Sequence, residues 1–193
     1  MRMTRLAMAA ALALLAAHPA VAQQRPLASE DPEPVGAGRV LVEGGLDLGW
    51  GEHYPASGLK GNLLRVPVLG VSVGISSIAE LQIDGGVYDR LTITGRTAAP
   101  LSGLLTATGT RTHDVSDIVV GTKVRVVSEA PGRPALAVRF ATKLPTAGNE
   151  SGLGLDTTDF HAAMLLAKNI DSVRVVGNVG VGILDRKSTR LNS

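Results

Sequence analysis

The chain has 193 residues, contains no cysteine and carries a formal net charge of +2 at pH 7. Without cysteine it can form no disulfide and can use no thiolate as a nucleophile or metal ligand. The small net charge and the lack of any block of like charges give no support for nucleic-acid binding.

Residues 1–22 have the layout of a secretory signal peptide. Arg2 and Arg5 make a basic start, an apolar run follows from Leu6 to Ala17, and Ala20-Val21-Ala22 is a small-x-small cleavage site. The apolar run is too short to span a bilayer. We expect a helical, cleaved leader and an exported mature chain; the alternative is an uncleaved amphipathic leader. Residues 23–37 are polar and rich in proline, which predicts a flexible lead-in.

After residue 37 the hydrophobic period is two. In residues 39–50, valine, leucine and tryptophan alternate with arginine, glutamate, aspartate and glycine, as in a strand with one apolar and one polar face. The phase slips near Leu69-Gly70, which indicates a β-bulge. The same period predicts seven strands, at residues 39–50, 63–74, 79–94, 117–127, 135–143, 160–168 and 173–184.

The predicted connections alternate in length. Residues 75–78, 128–134 and 169–172 are short connections, and residues 51–62, 95–116 and 145–158 are long ones. A soluble β-sandwich does not need this alternation, whereas outer-membrane barrels combine short periplasmic turns with long outer loops. We therefore predict an all-β fold for residues 38–184, an antiparallel up-and-down transmembrane β-barrel that is partial. The alternative is a soluble sandwich or a lipocalin-like barrel. Aromatic residues make up only 3% of the chain, so its aromatic girdles would be thin.

The glycine-rich residues 143–160 raise the question of a phosphate-binding loop. Gly148 and Gly152 lack the P-loop spacing and no lysine follows them, while Thr157 replaces the last glycine of a dinucleotide-binding motif. Both motifs also require a following helix, but residues 160–164 alternate as a strand does. We interpret residues 145–158 as an outer hairpin loop, and we expect no cofactor.

The same stretch, FATKLPTAGNESGLGLDTTDFHAAMLLAKNI, resembles the signature region of the outer-membrane barrel family labelled "MetA-pathway of phenol degradation". The resemblance covers residues 38–184, with Ala147 departing from the family's usual glycine. It implies an outer-membrane β-barrel that transports small, often aromatic, compounds, and it brings no catalytic residues. The motif positions that match are Lys143, Pro145, Thr146, Thr158, Asp159 and Phe160.

Residues 185–193 are polar, lack a period and have no terminal aromatic residue. Seven strands is an odd number, whereas bacterial single-chain barrels have even numbers. We therefore hypothesise that the chain is a C-terminally truncated fragment with a non-native tail at 185–193. The alternative is a genuine exposed tail.

No arrangement of residues predicts catalysis or metal binding. His53, His113 and His161 lie in different segments without the spacing of a metal site. Ser102 and Ser116 lack a nucleophile elbow, as does Ser151. We expect no enzyme activity and no metal, and Asp156 and Asp159 near His161 are interpreted as residues that order the loop.

The polar face of the strands supplies the candidate lumen. Its acids come from the first three strands and its bases mostly from later ones, which predicts an acidic arc opposite a basic arc and a transverse field across a pore. The alternative is pairing across a filled lumen. The predicted lumen-facing residues are Glu43, Asp47, Arg65, Glu80, Asp84, Lys123, Arg125, Arg139, Lys143 and Arg174.

Four of these bases lie on two neighbouring strands, Lys123 and Arg125 on one, Arg139 and Lys143 on the next. Like charges so close require screening. We predict that they line a wet lumen favouring anions or carboxylate-bearing compounds; the alternative is that they are paired and structural.

These observations predict a passive outer-membrane channel or uptake protein whose partners are outer-membrane lipid and a small solute. A soluble periplasmic β-barrel with an apolar ligand, or a structural outer-membrane barrel without transport, are the alternatives. The alternation of apolar and polar residues does not distinguish a membrane barrel from a soluble one, because it does not show which face points outward.

Overall fold

The computed structural model describes residues 29–185. Residues with the period-two pattern form one antiparallel sheet, which curls into a half-barrel. The predicted signal peptide, the start of the lead-in and residues 186–193 lie outside the described residues. Within the described part, no helix is long and apolar enough to cross a membrane. The strands are β1 (Val40–Tyr54), β2 (Leu59–Gly74), β3 (Ala79–Gly86), β4 (Asp89–Arg96), β5 (Arg111–Asp114), β6 (Val119–Val127), β7 (Ala135–Lys143), β8 (Asp159–Ile170) and β9 (Val173–Ile183).

The predicted strand 79–94 is broken into two segments, β3 and β4, and the predicted strand 117–127 is preceded by a further short segment, β5. β3 pairs with residues 68–74 of β2, and β4 pairs with residues 59–65 of the same strand. On their other side β3 pairs with β6 and β4 pairs with β5. Because β3 and β4 share one position in the sheet and β5 and β6 share the next, the nine strands occupy seven positions in chain order. The all-β, up-and-down prediction is therefore confirmed.

The predicted phase slip in β2 lies a few residues earlier than expected. Gly45 pairs with Val68 and Asp47 pairs with Arg65, so Val66 and Pro67 together oppose Leu46. Proline has no N–H for the ladder and is tolerated at such irregularities. Odd-numbered residues of β2 face inward before this point and even-numbered residues face inward after it.

The predicted long connection at residues 51–62 is wrong. β1 runs on to Tyr54 and β2 begins at Leu59, so only Pro55–Gly58 connect them. A second irregularity between Gly49 and Glu52, with Gly51 at a φ of 67°, interrupts the alternation and hides the continuing strand. Glycine adopts this left-handed conformation without a Cβ penalty.

The other connections follow the prediction more closely. Residues 97–110 and 144–158 are long loops at one end of the sheet, here called the loop end together with residues 55–58. Residues 75–78, 128–134 and 171–172 are short and form the opposite, turn end. The first long loop contains a 3-10 turn at Ser102–Leu104 and leads into β5, which the sequence did not predict.

The two faces of the sheet differ sharply in polarity. The concave face is largely covered, and its buried residues include Glu80, Gln82, Lys123, Leu165 and Ala167. The convex face is exposed and apolar. Only apolar residues, glycine and threonine occupy the outward positions of β1 (to Trp50), β3, β6, β7, β8 (to Leu166) and β9.

A small apolar cluster closes the concave face at the loop end. Leu59, Leu63 and Leu91 are buried there, and Leu105 and Leu153 from the two long loops pack against them. Each buried leucine contributes about 1.5–3 kcal/mol relative to exposure. The long loops therefore fold inward over the sheet and bury its leucines.

Gly58 holds the β1–β2 turn against the 97–110 loop. Its φ is +75°, and an added Cβ would lie 2.0 Å from the carbonyl oxygen of Thr97. Gly132, at the turn end, has a φ of +73° and open space around it.

We predict that Gly58→Ala destabilises the fold more than Gly132→Ala. Both substitutions carry the left-handed backbone cost of about 1–2 kcal/mol, and Gly58→Ala adds a backbone clash. Urea unfolding of each variant in detergent measures the difference. Equal midpoints would contradict the described docking of the 97–110 loop.

Candidate functional site on the concave face

The ten predicted lumen-facing residues lie on the concave face. Register brings them together: Asp47 pairs with Arg65, Glu80 with Lys123, and Lys123 with Arg139. Glu43 is exposed and lies near Asp84, while Lys143 and Arg174 extend the charged face across β7 and β9. The site is therefore a continuous charged surface.

The acids and bases that were predicted to lie on separate arcs form direct ion pairs where their strands are neighbours. Lys123 Nζ lies 2.9 Å from Glu80 Oε1, and Arg65 Nη1 lies 3.3 Å from Asp47 Oδ2. The reason is topological, because β3 is the direct neighbour of β6. Asp47 and Glu80 therefore lie opposite the bases Arg65 and Lys123, and each pair's fields largely cancel at short range, whereas Lys123 and Arg139 are like-charged cross-strand partners.

Residues 29–37, here called the lead-in segment, lie against this charged surface. Glu30 contacts Lys123 Nζ at 3.2 Å and Arg139 Nε at 3.0 Å. Glu33 pairs with Arg125, and both carboxylate oxygens of Asp31 accept hydrogen bonds from Arg174. The prediction of a flexible lead-in rested on composition alone and did not anticipate these contacts.

Backbone contacts also hold the lead-in segment. Val35 donates its backbone N–H to Glu80 Oε2, Lys123 Nζ donates to the carbonyl of Asp31 at 3.0 Å, and the Gly38 N–H donates to the carbonyl of Gly74 at 2.9 Å. The segment therefore runs from the start of β1 across to the last strand.

The hydrogen bond from Arg174 holds the pKa of Asp31 below its ordinary value. Because the pKa is lower in the folded state, this contact stabilises the fold above the unfolded pKa and stops doing so as the pH falls through the folded pKa. The backbone N–H of Asn169, with Lys168 and Arg174, likewise lowers the pKa of Glu129 in the turn between β6 and β7. Both carboxylates are therefore ionised at neutral pH.

Each of the four predicted basic residues has a carboxylate partner. Arg139 adds Asp84 at 3.4 Å to its contact with Glu30, and Lys143 contacts two aspartates. Lys123 is only 4% exposed and Glu80 only 1%. The bases are thus screened by protein acids, which corresponds to the alternative of a paired arc.

The family-motif residues converge on Lys143. Its Nζ lies 2.9 Å from Asp117 and 3.1 Å from Asp159. The other oxygen of Asp117 accepts the backbone N–H groups of Thr146 and Ala147, at 3.1 and 2.9 Å. Lys143 and Asp117 therefore fix the start of the 144–158 loop to the beginning of β8. Asp117 was not among the predicted site residues, although it lies two residues before the start of β6.

The remaining motif positions have simpler places. Pro145 is exposed where the loop leaves β7, Thr158 is half-buried just before β8, and Phe160 is 54% exposed on the convex face. Ala147 is buried and is not among the residues with positive φ, so its backbone conformation does not require glycine.

A second cluster lies nearer the middle of β2. Arg65 Nε contacts Asp89 Oδ2 at 3.1 Å, and the hydroxyl of Ser116 donates to the same oxygen at 2.7 Å. These contacts join β4 to the break between β5 and β6. Arg65 thus contacts two carboxylates, that of Asp89 and that of its cross-strand partner Asp47.

Two of the serines and one of the histidines considered above make local structural contacts. Ser102 and Ser151 donate their hydroxyls to the backbone carbonyls of Ala99 and Gly148, and the ring of His113 lies tilted beside that of Tyr88 with centroids 6.0 Å apart. Among residues 29–185, no group of three histidine or acidic side chains could hold a metal ion.

Comparison with known proteins returns no match: no protein-family model, no curated protein and no solved structure corresponds to this chain.

We predict that Lys143→Met destabilises the fold by about 3–5 kcal/mol, because it leaves the carboxylates of Asp117 and Asp159 uncompensated in a buried site. Urea unfolding in detergent measures this loss. Lys60→Met is the matched control, since Lys60 is exposed on β2 and should change stability by no more than about 0.5 kcal/mol. A Lys143→Met protein as stable as the Lys60→Met protein would show that the cluster does not anchor the loop.

Proposed function

We propose that this chain is an outer-membrane β-barrel protein that forms a passive channel or uptake route for small solutes. The observation that carries the proposal is the polarity of the sheet, apolar and exposed outside, charged and covered inside. Transmembrane barrels have this arrangement because lipid surrounds them and water or polar side chains fill them.

The exposed surface is costly in water. Trp50 is 74% exposed and Val181 is 73% exposed, and neighbouring outward positions are apolar too. Transfer of apolar surface out of water yields about 25 cal/mol per Å², so an apolar face of this extent indicates an apolar surrounding. β8 has 12 residues and β9 has 11, which meets the roughly 9–11 residues that a tilted strand needs to span a bilayer.

A soluble barrel with an apolar ligand would require the reverse arrangement. Its apolar face would point into the barrel and its charges would point to water. Here Lys123 and Glu80 are buried inside while Val179 and Ile183 are exposed outside. The face polarity therefore favours the membrane barrel over this alternative.

The paired charges favour a second candidate, a structural outer-membrane barrel without transport. In that case the ion pairs of Arg65, Lys123, Arg139 and Lys143 would serve only to fill and stabilise the interior. Conductance of the protein in planar bilayers separates the two: stable insertion without channels would support the structural barrel.

The class of solute rests on two different grounds. The resemblance of residues 143–160 to the phenol-degradation barrel family favours small aromatic compounds. The excess of guanidinium and ammonium groups on β6, β7 and β9 favours compounds that bear a carboxylate. An aromatic acid satisfies both. The proposal includes no catalytic step.

The single tryptophan of the chain tests the membrane assignment. We predict that Trp50 fluorescence is quenched when the protein is refolded into vesicles whose phospholipids carry bromine near the headgroup end of the acyl chains, because its side chain lies on the convex face. Unbrominated vesicles are the reference. Emission that is the same in both kinds of vesicle would contradict a lipid-facing Trp50.

Two adjacent alanines of β8 provide a matched control. Ala162 points to the convex face and Ala163 to the concave face, and both are half-buried. In a Trp50→Phe background, tryptophan at position 162 should be quenched and tryptophan at position 163 should not. Equal quenching at both positions would argue against the assignment of faces.

A further inference from the structure

The ion pairs around the lead-in segment have an unusual composition. The sheet and its turns contribute every cation, whereas half of the acids come from the lead-in segment. The network joins the five cations Lys123, Arg125, Arg139, Lys168 and Arg174 to the six acids Glu30, Asp31, Glu33, Glu80, Asp84 and Glu129. Without the lead-in segment the same five cations would face only three acids.

Two of the lead-in carboxylates occupy well-formed anion sites. Glu30 bridges Lys123 and Arg139, which are direct cross-strand partners. Asp31 receives two hydrogen bonds from Arg174, at 2.5 and 2.8 Å, in a forked geometry. A planar guanidinium binds a carboxylate in this way whether the carboxylate belongs to a side chain or to a small molecule.

Three of the four cations that the lead-in segment contacts also have a carboxylate partner in the sheet or its turns, and the fourth, Arg125, donates a hydrogen bond to the carbonyl of Ser77. Lys123 keeps its contact with Glu80, Arg139 keeps Asp84, and Arg174 keeps Glu129. The lead-in segment itself forms no strand; besides the ion pairs, it is held by the buried Pro32 and by hydrogen bonds at the Val35 N–H and the Asp31 carbonyl. The sheet therefore preorganises the cations, and the lead-in segment is the more readily exchanged partner.

We propose that Lys123, Arg125, Arg139 and Arg174, here called the cation cluster, form a binding site for small polycarboxylate anions. In this structure the carboxylates of Glu30, Asp31 and Glu33 occupy the site as a built-in competitor. The inference deepens the proposed function and rests on it for the route by which a solute reaches the site.

The tethered carboxylates set the affinity that a free anion shows. An attached ligand acts at an effective concentration in the millimolar range, so it raises the apparent dissociation constant of a free competitor. Removal of the tethered charges should therefore strengthen anion binding, whereas it would create no binding if the cluster were only a structural clamp.

The test uses citrate, a tricarboxylate, and isothermal titration of the refolded chain in neutral detergent. The variant Glu30→Gln/Asp31→Asn/Glu33→Gln should bind citrate at least about tenfold more tightly than the unaltered chain. A control with the same change of net charge, Glu52→Gln/Glu150→Gln/Asp171→Asn, alters acids that take part in none of the described ion pairs and should bind as the unaltered chain does.

Further substitution locates the site. Adding Arg139→Gln and Arg174→Gln to the lead-in variant should abolish the gain in citrate affinity. Equal citrate binding by the lead-in variant and the charge-matched control would overturn the proposal, as would a gain that survives loss of Arg139 and Arg174.

A second measurement covers the case in which the lead-in variant does not fold. The chain has no cysteine, so a spin label at Ser29→Cys reports on the lead-in segment alone. Citrate should increase the label's mobility in the otherwise unaltered chain. Sodium chloride that supplies the same concentration of negative charge should increase the mobility less. A spectrum equally insensitive to citrate and to chloride would overturn the proposal.

The titration needs no pore, so it separates the two proposals. A chain that binds citrate without conducting in planar bilayers refutes the channel and leaves the anion site standing. A chain that conducts while its lead-in variant gains no citrate affinity refutes the anion site and leaves the channel standing.

Discussion

Charges buried on the concave face need partners, and this requirement governs how the interior of the half-barrel is arranged. Lys123 is almost fully buried, and an unpaired ammonium at such a position would be strongly destabilising. Its acids come from β3 and from the lead-in segment, two parts of the chain separated by the whole of β1 and β2. The pairing thus fixes the neighbours of β6, the path of the lead-in segment and, through Lys143 and Asp117, the start of the 144–158 loop. Ion pairs occupy the concave face, and most of the exposed apolar side chains of the strands lie on the convex face.

Much of this arrangement follows from the sequence. Alternation along Ala135–Lys143 places Arg139 and Lys143 on one face and Phe140 on the other, because the side-chain period of a strand is two. The same rule places β6 to β9 and the turn end close to their observed positions. It fails at Gly51, where an irregularity shifts the phase and the real strand continues beyond the predicted end. A local pattern cannot distinguish such a bulge from a loop, because both interrupt the period.

The contacts of the site were less accessible from the sequence. Arg174 and Asp31 are 143 residues apart, and Lys123 and Asp31 are 92 apart. Nothing in the composition of a proline-rich acidic segment indicates that it will meet cations on distant strands. Asp117 was overlooked for a similar reason, since its role depends on Lys143 and Thr146 from the far side of a hairpin. Faces were predictable from local periodicity, and partners were not, because partners depend on the curvature of the whole sheet.

We propose that the convex face of the sheet meets lipid and that the concave face does not. Single cysteines at positions 160 to 167 of β8, each carrying a spin label in the refolded protein in vesicles, test it residue by residue. Oxygen partitions into lipid and a charged nickel chelate remains in water, so their relative collision rates report the surroundings of each label. We predict a period of two, with oxygen accessibility highest at Phe160, Ala162, Met164 and Leu166. The opposite phase, or equal accessibility at all eight positions, would contradict it.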